Sequence, residues 1–296
     1  MKNILIIGAN GFTGRRIVNE LAANQAYNVI GCSLSNDIAP NQQHRFIRTD
    51  IRDATAVKSL LEEVRPHVVI NTAALSVPDY CENHREEARA INVTAVEQLA
   101  RACEQQGSRF IHLSTDFVFD GHADRLYVES DKPHPINFYG VTKLEGEQQV
   151  AEKCSNYAIV RVVVVYGKAL PGQHGNILQL VANKLRAGET IRVVSDQWRT
   201  PTFVGDVARG VEQLLFHPGN GIYHLCGSDC LTIAEMAYRV ADILQLDASL
   251  IRPVTTEEMQ EAIPRPRFSG LSIAKAQQEI MYKPHTLDEG IKEMFS

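Results

Sequence analysis

Ile4-Leu5-Ile6-Ile7-Gly8-Ala9-Asn10-Gly11-Phe12-Thr13-Gly14 decides how the rest of the chain is read. Four consecutive apolar residues without polar alternation fit a strand covered on both faces. Helical apolar spacing begins at about Phe12 and runs to Ala23. Glycines between the two let the backbone turn sharply and come close to a pyrophosphate. The helix start behind them offers free N–H donors and the positive end of its dipole. Strand, glycine turn and helix in this order predict a dinucleotide site at Gly8, Asn10, Gly11, Phe12, Thr13 and Gly14. A plain tight strand–helix turn is the alternative.

Outward from this turn, strand and helix patterns alternate. Strands are expected at Val29 to Cys32, Phe46-Ile47, Val68 to Ile70, Phe110 to Leu113 and Ile159 to Val165. Helices are expected at Ala54 to Val64, Glu86 to Gln106 and Tyr139 to Ala151. This rhythm predicts an α/β doubly wound parallel sheet of Rossmann type. After Gly167 the rhythm weakens. Helical spacing recurs at Ile177 to Ala187, Phe203 to Phe216 and Thr232 to Leu244, with strands at Ile191 to Val194 and Ile222 to Leu225. The organisation read from this is a nucleotide-binding domain of residues 1–166 plus 203–225. A smaller, mainly C-terminal substrate lobe takes 167–202 plus 226–296.

Hydrophobic residues make up 44% and charged residues 22% of the 296, an ordinary soluble globular balance. The net charge of −5 gives no general attraction to nucleic acid or anionic membrane. No stretch approaches the roughly 20 apolar residues of a membrane helix. The opening apolar run is short and ends in a glycine turn, unlike a signal peptide. Six scattered cysteines, with only Cys226 and Cys230 close together, build no metal-ligand pattern. The expectation is reduced thiols in a cytoplasmic protein with no metal.

Sites for NAD usually carry an acid about 20 residues beyond the turn, on the ribose 2′-hydroxyl. Here the second strand runs into Gly31-Cys32-Ser33-Leu34-Ser35-Asn36, with no carboxylate before Asp37. Arg15 follows the last glycine, and Ser33 and Ser35 can bond a phosphate. These features favour NADPH over NADH, with NADH still possible; a solvated face for Arg15 and Arg16 is the rival reading. Asp50 and Ile51, after the third strand, suit an adenine amino group and face. Further on, Tyr139-Gly140-Val141-Thr142-Lys143 sets a phenol and an ammonium on one helix face. A nearby cation favours the phenolate, so Lys143 is expected to lower the pKa of Tyr139. Such a phenol serves a carbonyl/alcohol pair as proton donor or acceptor.

Gly-x-x-Gly-x-x-Gly, Asn71-Thr72-Ala73-Ala74, Ile91-Asn92-Val93, Ser114-Thr115-Asp116 and Tyr139-x-x-x-Lys143 together resemble the extended short-chain dehydrogenase/reductase family. Leu113 to Gly121, Asn137 to Glu147 and Arg265 to Leu271 are similar to dTDP-4-dehydrorhamnose reductases. The resemblance implies a catalytic triad of Thr115, Tyr139 and Lys143. It implies reduction of the C4 carbonyl of a nucleotide-linked 4-keto-6-deoxy sugar with NADPH. Ala73, Ala74, Asn92, Tyr139 and Lys143 would join the cofactor site, and Ser76 and Asp116 the substrate side, with a structural strand-end cap preferred to a catalytic role for Asp116. Related dehydratases carry an Asp-Glu pair after the hydroxyl residue. Phe117 stands in place of that glutamate and cannot abstract a proton, so dehydration is disfavoured.

The chain also departs from the reductase pattern. Arg15 stands where some members place a metal-binding acid. Val164 replaces a tryptophan expected to stack on substrate; Trp198 is a candidate replacement, with a core role as the alternative. Arg265 and Arg267 are expected to clamp a diphosphate or to be solvated surface charges. Asn71 to Asn83 and Gln197 to Thr202 also look like the regulatory β subunit of methionine adenosyltransferase, a non-catalytic branch of the same fold. Another extended short-chain reductase or epimerase is the third possibility. A homodimer through the helices near Glu86 to Gln106 and Tyr139 to Ala151 is possible, as is simple burial of both.

Overall fold

The apolar runs form the middle of a parallel sheet. The computed structural model describes residues 1–39, 44–170, 172–173 and 175–296. Strands β1 (Lys2–Ile7), β2 (Tyr27–Ser33), β3 (Arg45–Arg48), β4 (Val68–Asn71), β5 (Arg109–Thr115) and β6 (Tyr157–Val162) supply six of its seven members. The chain then leaves through β7 (Val165–Tyr166), β8 (Ile191–Val194), β9 (Trp198–Arg199) and β10 (Thr202–Phe203). It returns to add β11 (Gly221–His224) at the edge beside β6. Two further strands, β12 (Leu231–Thr232) and β13 (Ile251–Val254), pair with β9 and β8. The sheet order is β11-β6-β5-β4-β1-β2-β3 with every pair parallel. Strand order reverses between β1 and β4, which opens a crevice at their carboxyl ends.

Helices α1 (Phe12–Ala22), α2 (Ala54–Val64), α3 (Pro78–Asn83), α4 (Arg85–Arg89), α5 (Ala95–Gln106) and α6 (Phe138–Lys153) connect these strands. Ile4 and Ile6 face one buried cluster and Leu5 and Ile7 the other, so β1 is covered on both faces. The sequence pattern predicts one continuous helix over Glu86 to Gln106. Instead α4 and α5 are joined by a π-helical turn at Ala90–Thr94. The wider turn swings Asn92 inward, where it is fully buried and bonds the Leu75 backbone. Such turns cluster at functional sites.

Helices α7 (Ile177–Arg186), α8 (Val204–Leu214), α9 (Ile233–Ile243), α10 (Thr256–Met259), α11 (Ala274–Ile280) and α12 (Leu287–Phe295) complete the chain. Of these, α7, α9 and α12 gather with β8 and β13 around their own core. Helix α8 packs on α1, beneath the sheet. The stretch from Leu271 to Tyr282, assigned to the lobe from sequence, packs onto the sheet. Leu271, Ile273, Ala276, Ile280 and Tyr282 are buried in the sheet core, because α11 lies against β11 and α8. No helix among the described residues is long and apolar enough to cross a membrane.

Candidate active site

At the switch point the glycines are dictated by close approach. A Cβ on Gly14 would sit on the Gly8 carbonyl oxygen, and one on Gly8 would lie 2.6 Å from the Ala73 nitrogen. Gly8 also has φ +82, a left-handed backbone that favours glycine. Thr72, quoted in the Asn71-to-Ala74 motif without a role of its own, ties the turn down: its hydroxyl donates to the Ile7 carbonyl at 2.8 Å. Helix α1 begins without a side-chain cap or an acid in its first turn. Its leading N–H groups and dipole therefore face the crevice. This uncapped, glycine-lined start fits the phosphates of a dinucleotide.

Two cavities meet at the turn. One, of about 290 Å³, is bordered by Gly8, Ser33, Asp50, Ile51, Ala73 and Ala74, all from the expected cofactor set and including the pair expected at the adenine. Asp50 is only partly open there, since Arg52 forms an ion pair with it at 2.7 Å. Arg15 lies outside this cavity, buried and paired with Asp37. It also donates to Asn10 Oδ1 at 3.1 Å. Asn10 is likewise engaged, donating to the Asn36 carbonyl at 2.8 Å. Asn10 and Arg15 thus brace the loop after β2 instead of lining the cradle, because Asp37 folds back onto Arg15.

The second cavity, of about 480 Å³, brings Thr115, Tyr139 and Lys143 together with Gly11, Phe12, Thr13 and Gly14. Ser76, Asp116, Val164 and Arg265 border it as well. Asn137 caps α6, its side chain accepting from the Gly140 N–H at 2.9 Å, and so fixes the start of the Tyr139-to-Lys143 turn. Phe117 stands edge-on to Tyr139, ring centroids 5.8 Å apart. Lys143 is 2% exposed and donates to the Leu113 carbonyl at 2.7 Å. Asn92 touches neither opening; it donates to Thr142 Oγ1 at 3.0 Å and supports α6 from behind.

The electrostatics differ from expectation. Burial raises the Tyr139 pKa, with Asp116 adding to the rise and the Thr115 hydroxyl opposing it. Lys143, expected to lower it, does not set the direction of this shift, and its Nζ donates to the Leu113 strand carbonyl. Tyr139 therefore stands as a neutral acid at neutral pH. Burial lowers Lys143 to about 8, against the pull of Glu147. It also raises Asp116, which Arg199, Ser269 and Thr115 counteract.

Asp116 accepts from Thr115 Oγ1 at 3.1 Å and from Ser269, with Arg199 Nε 3.8 Å away. Arg199 lies within the Gln197-to-Thr202 stretch quoted from the sequence, but the sequence pattern assigns it no role of its own. Val164, at φ +38, borders both the triad cavity and an adjoining one of about 530 Å³. Arg265 reaches both cavities, held by Asp79 at 3.3 Å and Glu261 at 2.9 Å. Arg192, a cation to which the sequence pattern gives no site role, borders only the adjoining cavity of about 530 Å³. Two expected substrate residues are not brought in. Trp198 lies 39% exposed on β9, whose pairing with β12 aims it away from both cavities. Arg267 is mostly solvated, 4.0 Å from Asp196.

The parallel sheet, glycine turn and hydroxyl–phenol–lysine set define an extended short-chain dehydrogenase/reductase. The chain belongs to the family described as the RmlD substrate binding domain, whose model matches residues 1–296. It is 34% identical over 289 residues to a probable low-salt glycan biosynthesis reductase of Haloferax volcanii, covering 97% of this chain and 95% of that protein. It is 36% identical over 279 residues to methionine adenosyltransferase 2 subunit beta of Xenopus tropicalis, covering 93% and 81%. The crystal structure of dTDP-4-dehydrorhamnose reductase from Bacillus anthracis in complex with NADP superposes with a TM-score of 0.86. That match has 28% identity and covers 100% of this chain and 99% of the other. The family and these neighbours support a sugar-nucleotide reductase or epimerase type of protein.

Proposed function

We propose that the protein is an NADPH-dependent reductase of the C4 carbonyl of a nucleotide-linked 4-keto-6-deoxy sugar. The observation that carries this is Tyr139, a neutral phenol, gathered with Thr115 and Lys143 in one cleft beside the glycine turn. The dinucleotide supplies a hydride when bound. Gly8, Gly11 and Gly14 would take its phosphates, and Ser33, Asp50, Ile51, Ala73 and Ala74 its adenosine end. The proposed preference for NADPH rests on the missing acid at the end of β2, since the Arg15 guanidinium already faces Asp37. Tyr139 gives its proton to the carbonyl oxygen. Thr115 holds that oxygen in place, an oxyanion-type contribution. Phe117 offers no base for removing a proton from carbon. Val164, Arg192 and Arg265 border the space proposed for the nucleotide sugar. The nucleotide domain is proposed as 1–166 plus 203–225, joined by the 271–282 stretch, and the substrate lobe as the remainder.

NADPH consumption with dTDP-4-keto-6-deoxy-L-mannose is the test. Tyr139→Phe should lower kcat by about 10²- to 10⁴-fold while NADPH binding persists. No turnover with this or related keto-sugars, or a Phe variant as fast as the parent, removes the reading. A second reading, a regulatory subunit for a methionine adenosyltransferase, is favoured by the 36% identity to the Xenopus subunit. Co-purification with a methionine adenosyltransferase catalytic chain would support it; absence of a complex, with keto-sugar turnover, rejects it. Pairing of two copies through α5 and α6 is checked by light scattering.

A further inference from the structure

Beneath Lys143 lies a row of buried groups whose protons do not all fit at once. Lys143 Nζ stands 3.3 Å from His112 Nε2. Across the ring, His112 Nδ1 is 3.1 Å from Asn71 Nδ2. The Asn71 amide is oriented by a further bond, its Oδ1 accepting from the Ala73 N–H at 3.1 Å. Asn71 and His112 are wholly buried, so each N–H needs a partner within the protein. Burial and the nearby Lys143 hold His112 far below its ordinary range, which leaves the ring neutral with one N–H.

An amide N–H faces Nδ1, so Nδ1 must accept and the ring proton sits on Nε2. That proton points at Lys143. A neutral amine has a lone pair to receive it; an ammonium has three donors and none. The distances along Asn71–His112–Lys143–Leu113 are therefore all compatible hydrogen bonds only with Lys143 as the amine. For the ammonium form, the ring must carry its proton on Nδ1 instead. The Asn71 amide must then turn its oxygen to the ring, and the Ala73 N–H loses its acceptor. Ala73 borders the adenosine-side cavity.

We propose that His112 is a positioning residue that works as a tautomeric switch, coupling the charge of Lys143 to the Asn71–Ala73 hydrogen bond at the edge of the cofactor cradle. Its bearing on turnover rests on the reductase reading; the switch itself does not. The other groups facing Lys143 leave this coupling in place. Glu147, one turn along α6, favours the ammonium but is bound by Arg161 at 2.9 and 2.7 Å. Cys81 on α3 is a thiol that burial pushes up to about 11, so it adds no charge near neutrality. Asp116, which acts on the neighbouring Tyr139, is engaged by Ser269 and Arg199. Lys143 itself, lowered to about 8, titrates within reach of ordinary buffers.

The test uses the full chain with ¹⁵N-labelled histidine and long-range ¹H–¹⁵N spectra, His112 being identified by its loss in H112N. The ring is expected as the Nδ1–H tautomer on the acid side of about pH 8 and as Nε2–H on the alkaline side. A single tautomer throughout, or a doubly protonated ring above about pH 6, overturns the proposal. A second arm follows kcat/KM of keto-sugar reduction against pH. In H112N the amide that replaces the ring can offer its oxygen to the ammonium, so the Lys143 transition should move up by about one pH unit. An unmoved transition in folded, active H112N also overturns the proposal, and H112Q serves if H112N does not fold. Absence of any keto-sugar turnover would reject the reductase reading alone, since the spectra still decide the switch.

Discussion

Lys143 is a base held below its ordinary value by burial, and this has a sign for stability. Between its folded value of about 8 and its usual value of 10.5, the unfolded chain binds the proton and the folded chain does not. This group's contribution to the unfolding free energy then rises with pH through that window. Lys143→Met removes the group, so the stability of the parent relative to the variant should rise from pH 8 upward. Urea titrations at pH 7, 8 and 9 check this; a constant difference contradicts it. Tyr139 shows how a local rule can be outweighed. Four-residue spacing does put phenol and ammonium on one helix face, yet Lys143 is aimed at Leu113 and burial governs the phenol. Sequence shows the spacing but not where a side chain finds its carbonyl.

The π-helical turn ties two helices. Its Asn92 carbonyl approaches α6 so closely at Gly146 that a Cβ there would sit on the oxygen. Gly146→Ala should therefore cost about 1–3 kcal/mol by overpacking, seen as a lower urea midpoint with an unchanged slope. Gly14→Ala is expected to act differently, weakening NADPH binding severalfold or more because the turn must spread, measured by fluorescence titration. The glycine turn is legible in the sequence because strand, glycines and helix agree locally. The π turn is not, since Glu86 to Gln106 has ordinary helical spacing and the extra residue is set by what Asn92 meets at Leu75. Trp198 is misread for a similar reason: β9 is only two residues long, and its pairing with β12 and Phe268 turns the ring outward.

The lobe and the sheet are joined through buried charge. Arg199 comes from β9 and Asp116 from the end of β5, 83 positions apart in numbering and invisible to any local pattern. Arg199→Met leaves Asp116 buried without its cation and should cost about 3 kcal/mol, read as a drop in unfolding free energy. If Asp116 is instead held by Ser269 and Thr115 alone, the loss will be slight. The strand order has a further consequence for how the chain is made. Strand β6 ends at Val162, but its outer neighbour β11 begins only at Gly221. A ribosome must therefore extrude residues 163–220 while β6 still presents an unpaired edge. Unpaired edges recruit other chains. The growing polypeptide is thus exposed to misassembly during synthesis of residues 163–220, a vulnerability written into the order of its strands.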